Sequence, residues 1–376
     1  MKIRRIRAVT RKEWKQIIRD TRSLMLSLGI PMLLIVLFSW ALKLDVSNIK
    51  TLVLDRDKTS TSRAYIERFA HIEYFSIIGY TDKYSEIIGC IDAGEVKAAI
   101  VIPKGFGADL KAGRGAEVQL IADGTDPLTA QVLVGYVSAI TAVFSQEYIL
   151  QALSRAGVTV GKTPLDAQVR VWFNPELESK NFIIPGLIAV IMMVIAGLLT
   201  SLTIAREWER GTMEQLISTP VKVSELLIGK LIPYVELGLI DFVLALLVGT
   251  LIFGVPLKGS ILLLFVMTIV FLVGAMSLGL LISIVAKKQV LASQMAILIT
   301  FLPAFIMSGF VFPISNMPLV LKAITYLVSA RYFVTILKGI FLKGVGVSIL
   351  WAEGILLLVF TGVILMAALR IFKKEL

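Results

Sequence analysis

The chain has 376 residues, of which 57% are hydrophobic and 17% charged, with a net charge of +11. Soluble domains average about a quarter charged residues, so this composition excludes an ordinary soluble enzyme and points to several membrane spans. One cysteine, Cys90, and one histidine, His71, exclude an intrachain disulfide framework and a Cys/His metal site.

Residues 1–23 carry nine Lys and Arg side chains. Ile3, Ile6, Thr10, Trp14 and Ile17 recur among them at helical spacing. That pattern predicts an amphipathic helix on the cytoplasmic membrane surface, an anchor and a docking site. A bilayer core of about 30 Å takes roughly 20 apolar residues as helix. The run Leu24 to Leu42 meets this requirement, in a first span over 24–44. It lacks a small-residue cleavage site and reads as a permanent anchor.

Residues 45–181 alternate strand and helix. Strands are expected at 51–55, 74–80, 98–103 and 117–123, helices over 62–69 and around 85–91, and a long helix from Pro127 to Arg155. "VRVWFNP" (169–175) leads back to the membrane. Such alternation suggests an inserted α/β domain. "AGVTVGKT" (156–163) matches a loose phosphate-binding loop, but it follows what reads as a helix end and not a buried strand, so it is read as coincidence.

Five more apolar runs follow, at 182–205, 231–254, 261–285, 290–312 and 351–369. The fold class is therefore an α-helical polytopic membrane protein with six transmembrane helices, carrying an α/β extracytoplasmic domain between helices 1 and 2. Residues 313–347 are expected to re-enter or lie along the outer surface, with Arg331 and Lys338 on one helical face. Positive charge gathers at 1–23, 206–230, 287–288 and the end of the chain. The positive-inside rule makes these segments and both termini cytoplasmic. It also accounts for the excess charge, so no nucleic-acid partner is inferred.

Two segments carry candidate function. Glu236 and Asp241 lie inside the third span, where ionisable groups are costly and mark pathways or partners. They are assigned to a translocation pathway or a dimer seam, with snorkelling to the interface as the plain alternative for Glu236. The stretch "REWERGTMEQLISTPVKVSELLIGK" (206–230) is a charged, patterned interruption between two spans. Trp208, Met213, Leu216 and Ile217 are expected to face the membrane or a partner, with the charges pointing away.

"REWERGTMEQLISTP" with "LIGKLIPY", "SGFVFPISNMPLVLKAITYLVSARYF" and "NFIIPG" resembles the ABC-2 type transporter permeases, in particular bacterial multidrug-efflux-like permeases with a large exoplasmic domain. The resemblance implies a bacterial inner-membrane half-transporter for outward transport of drugs, lipophilic compounds or ions. It implies a homodimer or a heterodimer with a related permease. It also implies a separate ATP-binding subunit that carries ATP and Mg, while this chain itself binds no cofactor and hydrolyses nothing. Carried over by position, Glu207, Glu209, Arg210, Gly211, Thr212 and Glu214 form an ATPase-coupling motif. Ser329 and Ala330 depart from the Asn-Pro of many relatives. A periplasmic adaptor and membrane lipid are further expected partners. The alternative is a membrane sensor or assembly scaffold acting through the external domain.

Overall fold

The computed structural model describes residues 2–41, 48–72, 74–125, 127–155 and 178–372. Two units emerge, Leu44–Val169 and Met1–Lys43 with Arg170–Leu376.

The second unit begins with helix α1 (Ile3–Arg19) and α2 (Thr21–Ala41). The chain then builds a four-stranded sheet from β1 (Ile49–Asp55), β2 (Phe75–Tyr80), β3 (Ala98–Ile102) and β4 (Gln119–Ala122). Its order is β2-β1-β3-β4, with the first three strands parallel and β4 antiparallel to β3. Helices α3 (Ser60–Ala70), α4 (Tyr84–Asp92), α5 (Phe106–Lys111) and α6 (Pro127–Arg155) surround it. The period-2 alternation of strands sends Ile49, Val53, Ile100 and Ile102 into a core with Tyr65 and Phe69 of α3 and Leu133 and Val137 of α6. Leu52, Leu54, Ala99 and Val101 point to the other face, against Ile87 of α4. Both faces are covered, as parallel strands require. The expected strands and the three expected helices appear within a few residues of their predicted bounds; α5 was not expected. Residues 156–163 and 169–175 lie outside the described residues.

Within the sheet unit, the ends of β1 and β3 are tied by carboxylates. Asp57 accepts hydrogen bonds from Gly105 N at 2.8 Å and Gly107 N at 2.9 Å. Burial pushes its pKa up, but the Thr59 hydroxyl and these amides outweigh that and hold it below the usual carboxylate value. Asp123 is held lower by the hydrogen bond from Lys97, 2.6 Å away, and by Thr125.

The remaining helices are α7 (Ser179–Glu209), α8 (Met213–Ser218), α9 (Val223–Leu247), α10 (Ile261–Ala286), α11 (Gln289–Ala296), α12 (Leu302–Met307), α13 (Leu319–Ile324), α14 (Ser329–Lys338) and α15 (Val347–Ile371). Wide π-type turns extend α9 through Ile252, join α11 to α12, and extend α14 through Lys343. Helix α7 is the central post: Ile183 through Met193 is buried without interruption. It meets α10 closely. Ser283 Oγ accepts from Ile204 N and Ala205 N at 2.9 Å each, and a Cβ on Gly279 would sit 2.5 Å from Gly197 O. Small residues allow this approach where lipid supplies no hydrophobic drive between helices. Outer faces stay apolar: Trp351, Val359 and Val363 of α15 are exposed.

Among the described residues, six helices are long and apolar enough to cross a membrane. Five coincide with the expected spans two to six. The sixth is Thr129–Ser154 of α6, which packs one face into the sheet core, and not the expected first span; the apolar part of α2, Ser27–Trp40, is shorter than the roughly 20 residues a bilayer core takes. The segment 319–343 forms two helices bent by 88° at Val328. Its Arg331 and Lys338 do not form a solvated stripe. Arg331 stacks 3.8 Å from the Tyr326 ring. Lys338 donates to Gly309 O at 3.0 Å and sits 3.4 Å from the Phe182 ring. The apolar side of α14 is buried, with Phe333 stacked 4.0 Å from Phe271 of α10.

Candidate functional site

The charged stretch 206–230 is where α7 ends, α8 turns and α9 begins. Helix α7 runs without a break to Glu209; Gly211 then takes φ +67°, a left-handed turn that a glycine adopts without strain. Helix α9 opens with the Glu225 carboxylate reaching back to accept from Lys222 N at 3.0 Å.

Helix α1 lies along the first turns of α9. Lys2 N donates to Glu225 Oε1 at 2.7 Å, Thr10 Oγ1 donates to Gly229 O at 3.1 Å, and Trp14 Nε1 donates to Glu236 Oε2 at 2.6 Å. The two sets of numbers climb together, so the helices run parallel. Gly229 is the point of closest approach: a Cβ there would meet Val9 Cβ at 2.8 Å. The stripe of Ile6, Thr10 and Trp14 thus serves a protein contact, while Ile3 stays exposed.

Lys230, 1% exposed, is buried in this contact. Its Nζ lies 2.5 Å from Glu13 Oε1 and 3.4 Å from Glu207 Oε1. Lys12 also pairs with Glu207 and stands 3.6 Å from Glu13. The hydroxyl of Thr212 donates to Glu207 Oε2. Two ammonium and two carboxylate groups balance, which is the condition for keeping charges out of water. The cluster joins α1, α7, α9 and the entry to α8 at one place.

The structure separates the six residues of the expected coupling motif. Glu207 and Thr212 meet in the buried cluster. Glu209 instead accepts from Gln289 N at 2.9 Å and Gln289 Nε2 at 2.5 Å, capping α11. Hydrogen bonds from Gln289 hold its carboxyl company there. Arg210, Gly211 and Glu214 are exposed beside α8. The expectation that all the charges point away fails at Glu207, whose three donors come from other elements. The apolar side chains face the chain's own core and not the membrane: Met213 is buried, Leu216 packs against the core, and Lys287 sits 4.9 Å over the Trp208 ring. The side chain of Ile217 lies outside the described residues.

Glu236 and Asp241 do not share a site. Five residues apart on a helix, they are about 140° apart around it. Glu236 is exposed and bonded to Trp14. Asp241 is fully buried, and among the described residues neither of its oxygens has a hydrogen-bond partner. Sequence reasoning missed Lys12, Glu13 and Lys230 as a unit. A signal existed: Lys230 interrupts an apolar helical run in "LIGKLIPY", and Glu13 is an acid within a strongly basic segment.

Helices long and apolar enough to cross a membrane, gathered in one bundle, place the chain among multi-pass membrane proteins. Comparison with known proteins gives the family. The model for "ABC-2 family transporter protein" matches residues 22–370. The chain is 40% identical over 342 residues to the "Probable multidrug ABC transporter permease YbhS" of Escherichia coli, covering 91% of this chain and 89% of that one. It is 30% identical over 374 residues to the "Probable multidrug ABC transporter permease YbhR" of the same organism, covering 99% of each. It is 24% identical over 350 residues to the "ABC transporter G family member 20" of Dictyostelium discoideum, covering 90% of this chain and 46% of that one. The chain belongs to the ABC-2 transporter family. It is a multi-pass permease subunit, and the ATP hydrolysis of such a transporter takes place on an ATP-binding partner.

Proposed function

We propose that this permease is the membrane half of an exporter driven by its ATP-binding partner, moving lipophilic compounds or drugs outward. The relatives named as multidrug permeases support that cargo class. The permease works as a homodimer or as a heterodimer with a related permease, in a bacterial inner membrane. Both termini and the segment 206–230 are cytoplasmic, and the sheet unit is extracytoplasmic, as the distribution of Lys and Arg favours. There the sheet unit would be accessible to a periplasmic adaptor.

The observation that carries the mechanism is the buried Glu13–Lys230–Glu207 cluster. The ATP-binding subunit docks on the exposed residues around α8, Arg210 and Glu214. A push on α8 reaches Glu207 through Thr212, and from Glu207 it reaches α7, α9 and α1 together. Charged hydrogen bonds suit this task because they are strong and directional. A partner can shift the bundle only through contacts that differ between two states, and the central post α7 is the element best placed to move.

Asp241 is the candidate pathway or dimer-seam group. A buried carboxylate without partners is costly to keep, and a pathway or a second subunit would supply what it lacks. Asp241→Asn should lower transport; unchanged transport under every tested proton gradient would remove it from the pathway. The docking reading is tested by purifying the tagged permease in mild detergent. The wild type should bring down an ATPase, and Glu214→Lys should not. Capture of the same ATPase by the variant would place docking elsewhere.

A further inference from the structure

A basic groove of about 1030 Å³ runs between α1 and the end of α7. Arg11, Lys15, Arg19, Arg206 and Arg210 line it together with Lys12. Among the described residues, Arg11, Lys15, Arg19 and Arg210 pair with no carboxylate, whereas Lys12 is committed to Glu207. Asp20 is the acid in the lining.

The groove does not end blindly. Gln16, Asp20 and Arg206 also line a narrow crevice of about 50 Å³, which continues past Leu24 and Tyr234. Ser27, Leu199 and Leu202 are shared in turn between this crevice and a slot of about 280 Å³. The slot is lined by α2, α7 and α12, with Leu34, Ile191, Val194 and Phe305 on its walls, and its lining is almost wholly apolar. From Arg206 to Ile191 along α7 is 15 residues, or about 22 Å at 1.5 Å each. That exceeds the half-thickness of a bilayer core of about 30 Å. Polarity therefore changes once along the track, from a cationic mouth to an apolar slot that reaches past the middle of the bilayer core.

We propose that this track is a binding site for an anionic phospholipid, with its phosphate headgroup in the groove between α1 and α7 and an acyl chain in the slot between α2, α7 and α12. The proposal goes beyond the transport reading and stands without it, since it needs only that the bundle is in a membrane. Charge complementarity selects the headgroup. Basic side chains at the membrane surface each favour anionic lipid, and arginine matches phosphate oxygens in pairs. The apolar slot selects a molecule with a chain over a free phosphate. Occupancy would brace α1 against α7 at the level of the charge cluster.

The test is native mass spectrometry of the full-length permease in detergent, titrated with phosphatidylglycerol or phosphatidylethanolamine of the same chains. Wild type should retain phosphatidylglycerol about tenfold more tightly. The triple variant Arg11→Gln, Lys15→Gln, Arg19→Gln, whose residues are on the surface and outside the core, should lose that preference. Leu199→Trp, which fills the narrowing, should weaken phosphatidylglycerol with the basic groove intact. Equal affinity for the two lipids, or a preference that survives the triple variant, would overturn the proposal. Competition by glycerol phosphate as effective as the lipid would overturn it in favour of a free-phosphate site. Unchanged phosphatidylglycerol binding by the triple variant, together with loss of a co-purifying acidic protein, would make the groove a protein dock.

Discussion

Replacing Lys230 by methionine keeps most of the side-chain volume and removes the ammonium that Glu13 and Glu207 both approach. Lys12 then faces two buried carboxylates alone, and one negative charge is left uncompensated in a place where the Lys230 and Glu13 side chains are 1% and 3% exposed. Breaking a buried pair by removing one partner costs about 3–5 kcal/mol. For a unit of this size each kcal/mol moves the melting temperature by roughly 2–4 °C, so Lys230→Met should melt roughly 6–20 °C lower. Glu13→Gln added to it restores the balance of one cation and one anion, Lys12 with Glu207. The double variant should therefore recover at least about 1 kcal/mol relative to the sum of the single effects. Thermal unfolding of the purified permease in one detergent, followed by tryptophan fluorescence, reads all three. Trp14 and Trp208 report from the same region. A Lys230→Met protein melting within a few degrees of wild type, or a strictly additive double variant, would show that the cluster does not hold the helices together.

Gly229→Ala places a methyl against Val9 and should cost about 1–3 kcal/mol, read as earlier proteolytic release of α1. Glu209→Ala removes both acceptors from Gln289; losing this cap at the start of α11 should cost about 0.5–2 kcal/mol, visible as faster hydrogen exchange over 289–296. In the sheet unit, Asp123 has a folded pKa below its unfolded value of about 3.9, so its contribution to stability is complete above that value and is lost as pH falls toward the folded one. Hydrogen exchange of β3 and β4 should accelerate below about pH 4 in wild type, and Asp123→Asn should flatten that dependence.

Spans two to six were legible because each is a long apolar run whose length the bilayer sets. The sheet unit was legible because Val, Ile and Leu alternate faces in β1 and β3. Two elements were not. Helix α5 is six residues long and is held by Asp57 from a distant loop, a contact with no local signature. The charge cluster depends on α1 and α9 meeting across more than 200 residues of sequence. The charge pattern located the segment 206–230 and the resemblance to a family its motif from Glu207 to Glu214, but only packing shows that Glu207 is buried while Glu214 faces outward. Periodicity gives the side of its own helix on which a side chain lies; it does not give what another helix brings to that side.

The measurement that bears most directly on the account is the ATPase rate of the ATP-binding subunit, reconstituted in proteoliposomes with wild-type permease or with Thr212→Val. That substitution cuts the hydrogen bond from the entry of α8 to Glu207 and leaves Arg210 and Glu214 in place. The account predicts a complex that still assembles but in which the permease no longer alters the ATPase rate. A variant complex with wild-type coupling would show that the push does not travel through the Glu207 cluster.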